Sequence, residues 1–237
     1  MKNNQEIRVR NLIPGTIVCL ATMLWPICWP QEVSAERQPI PLAILVFNYS
    51  AASRSSVNIA EQEASRIFRQ AGLGVSWRWC PVPLPPDSDQ ACAEELGPND
   101  IRLRIVNQAA PNYFGERVFG FSVAPAVATV YYEHAVNLAK SDGAEDEVPT
   151  ILAYVIAHEI GHLLLGPGAH APTGIMQAQW KREDLERAMK GLLLFRSEEI
   201  EKMSSNAMSR LAQPASTARP DFAAVRTVPE LPGVTTH

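Results

Sequence analysis

The sequence predicts an α/β domain in which a small mixed sheet has a backing helix on one side, an active-site helix beside it, and a helical lower subdomain after it. Two observations lead there. Between residues 40 and 132, short apolar stretches follow the order strand, helix, strand, strand, strand, and a long apolar helix comes next. That last helix contains His158-Glu159-Ile160-Gly161-His162, two histidines one turn apart with a carboxylate between them.

Each element has its own reason. Leu42 to Phe47 is continuously apolar, which fits a strand covered on both faces. Asn58 to Ala71 places Ala60, Ala64, Ile67, Phe68 and Ala71 on one helical face, and Gly72 ends the helix. Val75, Trp77 and Trp79 alternate with Ser76 and Arg78 as a second strand, and Ile101, Leu103 and Ile105 alternate with Arg102 and Arg104 as a third. Phe119 to Val123 and Val127 to Tyr132 are further strand candidates. Within them, Gly120-Phe121-Ser122-Val123-Ala124 fits either a cleft's edge strand, open to an extended substrate main chain, or an ordinary inner strand.

The long helix has a start, an apolar face and a stop. Asp146 and Glu147 precede Pro149, which suits a first turn, and Ile151, Leu152, Val155, Ile156, Ile160, Leu163 and Leu164 recur at three-to-four spacing. The helix is expected to bury one side and to turn His158 and His162 toward a cleft from the other. Gly166 accepts the conformation past a helix end and Pro167 cannot continue the helix. Beyond Trp180, Asp184 to Leu194 and Ser197 to Leu211 have helical period, while the stretch from Pro214 has none. These boundaries give a domain over 36–211 and a disordered tail over 212–237.

Residues four apart share one helical face, so His158 and His162 can hold one metal ion while Glu159 reaches a water beside it. The glycines at 166 and 168 let the chain reverse and bring His170 back to where a third ligand is needed. Three histidines and an open water position suit zinc.

These residues resemble the signature of the metzincin clan of zinc metallopeptidases, H-E-x-x-H-x-x-G-x-x-H followed by a methionine-containing turn beneath the metal. Gly174-Ile175-Met176 stands where that turn would be. The clan sets its glycine three residues and its third histidine six residues after the second histidine; here Gly166 lies four and His170 eight residues on. Some members also carry a tyrosine just after the turn, whereas Gln177-Ala178-Gln179-Trp180 follows Met176. The motif resemblance covers roughly residues 149–180 and the element order roughly 40–180.

The resemblance implies a zincin-type α+β fold, Zn2+ held by His158, His162 and His170, Met176 as support under the site, and peptide-bond hydrolysis with Glu159 as general base. Tyr154, one turn before His158, is either an oxyanion-stabilising group or a packed core residue. His134 has no partner at ligand spacing and reads as an ordinary surface or core histidine. Two other readings stay open: a zinc-retaining, non-catalytic binding protein, and a zincin in which Glu183 or Glu186 replaces His170.

Residues 1 to 35 read as an export signal. Lys2, Arg8 and Arg10 form a basic start, Leu12 to Trp29 is an apolar run, and Val33-Ser34-Ala35 is a small-residue cleavage site. The alternative is a retained anchor, the one expected route to a membrane. Without that segment the chain carries 18 basic and 23 acidic residues, about −5, and no basic patch, which excludes a nucleic-acid partner and leaves a peptide or protein substrate. Cys19 and Cys28 fall within the segment, and Cys80 and Cys92 flank a proline-rich loop. In an exported, oxidising setting that pair is expected to form a disulfide.

Overall fold

A computed structural model describes residues 38–85, 92, 96–108, 119–166 and 168–212. The expected export segment and the expected tail lie outside the described residues, except for Ala212, which ends a helix.

Five strands form one mixed sheet: β1 (Ile40–Asn48), β2 (Leu73–Cys80), β3 (Asp100–Val106), β4 (Gly120–Val123) and β5 (Val127–Tyr131), in the spatial order β2-β1-β3-β5-β4. The first four in space are parallel, and β4 runs antiparallel to β5 at the edge. A parallel pair needs a crossover, which α1 (Arg54–Gln70) supplies between β1 and β2. Among the described residues, the α-helices that follow are α2 (Tyr132–Ser141), α3 (Val148–Leu165), α4 (Arg182–Met189) and α5 (Ser197–Ala212).

The continuous apolar run of β1 is used on both faces. Leu42, Ile44 and Val46 belong to the main core, while Leu45 and Phe47 face the other way and are covered by Cys80, Cys92 and Leu96. Cys80 and Cys92 are joined by a disulfide with Cα atoms 5.6 Å apart. Helix α1 begins before the expected Asn58, because Ser53 caps it by accepting a hydrogen bond from the Ser56 amide at 3.1 Å.

Helix α3 departs from the one-sided burial expected of it. Ala153, Tyr154, Ala157 and Gly161, off the apolar stripe, are buried as well. The reason is its place in the fold: α1, α2, β4 and β5 pack against it, and so do α4 and α5. Pro149 stands in its first turn and Gly166, with φ of 94°, ends it. Its last carbonyls are claimed by α5, where the Asn206 amide donates to Leu164 O at 2.7 Å and the Arg210 guanidinium donates to Leu163 O.

Two further corrections concern helices. α2 was not foreseen in the stretch after β5. α4 stops at Met189 rather than Leu194, since Gly191 takes φ of 70° and the chain continues outside any helix, with Leu193 and Phe195 buried and Leu192 exposed.

Candidate metal centre

His158 and His162 project from one face of α3, their ring centroids 4.7 Å apart. His170, on the loop beyond Gly166, brings its ring to 5.5 Å from His158 and 4.8 Å from His162. One ligand nitrogen from each of the three lies within 4.8 Å of the others. The Nε2 atoms of His158 and His162 are 3.1 Å apart, close to the roughly 3.3 Å expected of two nitrogens on one tetrahedral zinc.

The protonation states agree with ligation. His158 Nδ1 is 2.8 Å from Ile175 O, and because a carbonyl only accepts, Nδ1 carries the proton and Nε2 keeps its lone pair for the cluster. Burial pulls the His158 pKa down to about 4, opposed by the hydrogen bond that His158 donates to the Ile175 carbonyl, with His162 and His170 adding to the lowering. Burial, then the neighbouring His170, takes His162 to about 4 as well. Two neutral imidazoles from the helix and a third from the loop beyond it are a donor set that fits zinc.

The turn after His170 is built against α3. Gly174, at φ of 84°, makes a reversal in which a Cβ would meet Leu194 O at 2.7 Å. The Ala171 amide donates to Met176 O at 2.8 Å and closes the loop. Ile175 O, which orients His158, also accepts from Trp180 Nε1 at 3.1 Å. The Trp180 ring stacks on Phe119 and meets His158 edge-on at 6.0 Å. Met176 is fully buried beside Gly161.

Glu159 faces the edge strand. Its carboxylate accepts from Ser122 Oγ at 2.9 Å, and its main-chain carbonyl is 2.7 Å from the same hydroxyl. Burial pushes its pKa up to about 7, opposed by the Ser122 hydrogen bond. A cleft of about 600 Å³ joins these parts: β4 with Phe119 and Ala124 along one wall, and His158, Glu159, His162 and His170 along the other. Gly120–Ala124, left open in the sequence between edge and inner strand, is the sheet's edge and lines this cleft.

The remaining candidates sit elsewhere. The Tyr154 hydroxyl, one turn before His158, is held by α1, accepting from Arg66 at 3.0 Å and donating to Glu63 at 3.3 Å, so it is a core residue. His134 lies on α2 and lines a second recess, with Asn137, Ser141 and Gln179. Glu183 and Glu186 are on α4, outside the histidine cluster; Glu186 pairs with Arg182 at 3.5 Å. The sequence offers Gly120 and Ser122 only as part of a candidate edge or inner strand; their contacts with Glu159 are not legible there, since a serine and a glycine two apart in a strand form no recognisable motif.

No protein-family model matches the chain, and no curated protein does. Among solved structures it is similar to the archaemetzincin of Methanopyrus kandleri, at 18% identity and a TM-score of 0.45, over 74% of this chain and 99% of that one.

Proposed function

We propose that this chain is a zinc-dependent endopeptidase acting on extended peptide or protein substrates. The observation that carries the reading is the convergence of His158, His162 and His170 within 4.8 Å, in a cleft walled by the edge strand of the described sheet, with Glu159 on the same cleft. His158, His162 and His170 would hold the ion, with His158 oriented through Ile175 O. When bound, zinc supplies Lewis acidity that brings the pKa of a water toward neutrality and polarises a carbonyl.

The chain's own groups do the rest. Glu159 takes a proton from the attacking water and returns it to the leaving amine, a task suited to a carboxylate whose pKa is near 7. β4, the edge strand of the described sheet, accepts the substrate main chain as an added strand, which aligns the scissile bond along the cleft. Export belongs to the same reading, supported by the basic and apolar N-terminal run and by a cysteine pair that an oxidising compartment preserves.

The test is zinc content together with cleavage of a broad peptide library by the purified chain. About one zinc per molecule and cleavage are expected, with Glu159→Gln keeping the metal and losing activity. A zinc-loaded wild type inert on every peptide would favour the non-catalytic binding protein instead.

A further inference from the structure

We propose that Ser122 is a positioning residue for this reaction, its hydroxyl tying the carboxylate of Glu159 to the strand along which the substrate lies. The proposal rests on the zinc-peptidase reading and adds to it how the base is held.

Residues two apart on a strand share a face, so Gly120 and Ser122 both look toward α3 from β4. At Gly120 the strand is bare: a Cβ there would stand 2.9 Å from Glu159 Cγ and 2.2 Å from Thr129 O. The aliphatic part of Glu159 therefore lies directly against main chain, a closeness that only glycine permits. One pleat further on, Ser122 Oγ reaches Glu159 Oε2 at 2.9 Å and the Glu159 main-chain carbonyl at 2.7 Å.

The strand thus holds the glutamate at two points, by a gap at 120 and by a hydrogen bond at 122. A glutamate side chain has three rotatable bonds, and a carboxylate fixed at Oε2 presents Oε1 in one direction. The proton from the attacking water arrives at Oε1 and leaves from it. Because β4 is also the edge that pairs with substrate, the base and the scissile bond are referenced to the same four residues, Gly120–Val123. A displacement of the strand moves both together, so their separation is preserved.

The test uses the zinc-loaded full chain with Ser122→Ala and Ser122→Thr, assayed on the best peptide from the library. Ser122→Ala should lower kcat about 10-fold with KM within about twofold, since the interaction acts on orientation rather than on binding. Its zinc content should equal that of wild type, and Ser122→Thr, which keeps the hydroxyl and suits a strand, should recover most of the loss. Crystals of zinc-loaded Ser122→Ala should show the Glu159 carboxylate in more than one rotamer. An unchanged kcat with a single, unmoved Glu159 rotamer overturns the positioning role. A wild type that cleaves nothing overturns the peptidase reading itself, and the two failures are distinct.

Discussion

Met176 lies directly against the backbone of Gly161: a Cβ at position 161 would stand 2.6 Å from the methionine sulfur and 3.1 Å from the Phe195 ring. The turn that carries Ile175, whose carbonyl orients His158, is therefore seated on the missing side chain in the middle of the histidine motif. Gly161→Ala should force this turn outward. The expected cost is about 1–3 kcal/mol of stability from overpacking, read by urea unfolding, together with weaker zinc binding. Unchanged stability and zinc affinity would show that the turn yields freely.

His170 is exposed and sits on a loop with glycines at positive φ on either side of Pro167, yet it completes the cluster. Competition with a chelator should show a large loss of zinc affinity for His170→Ala, on the order of 10-fold to 100-fold for a lost ligand or its support, and none for Glu183→Ala or Glu186→Ala. A loss confined to either glutamate would assign the third ligand to α4.

Tyr154 gives the alkaline limit. Burial, and then the neighbouring Glu63 carboxylate, push its phenol from 10 to about 12. A group whose pKa is raised by folding contributes stability that is fully present below its unfolded value and is lost as pH rises through its folded value. Unfolding midpoints should hold up to pH 10 and fall between pH 10 and about 12. The fall should be shallower in Tyr154→Phe, which removes the titrating group. A wild-type curve parallel to that of the variant would mean that other groups set the limit.

The sheet was largely legible because its strands carry strong local signals. β1 is apolar from Leu42 to Phe47 since both its faces are covered, and β3 alternates since Ile101, Leu103 and Ile105 are buried on one face while Arg102 and Arg104 occupy the other. Helix α2 was hidden for the opposite reason. It follows β5 without a break, opens on Tyr132, lacks a side-chain cap, and buries only the small residues Ala135 and Ala139. The stop of α4 was misplaced because the apolar run Leu192–Phe195 continues past Gly191 and the burial of Leu193 and Phe195 looks like helix in composition. Of the candidate centre, the histidines and Glu159 announce themselves by spacing. The groups that orient them do not: Ile175 acts through a main-chain carbonyl, and Ser122 and Gly120 reach α3 through pairing between distant segments.

The grip of α5 on the end of α3 sets how far the metal-binding sequence can travel. The stretch from His158 to His170 is short, but the carbonyls of Leu163 and Leu164, immediately after His162, are satisfied by Arg210 and Asn206, 47 and 42 residues further along the chain. An excised peptide over residues 145–180 would carry every histidine of the cluster and Glu159 while leaving those carbonyls to water and the helix end free to fray. The motif is local, whereas the site is a property of the whole domain; grafted onto another helix, it would bring the ligands without the frame that keeps them convergent.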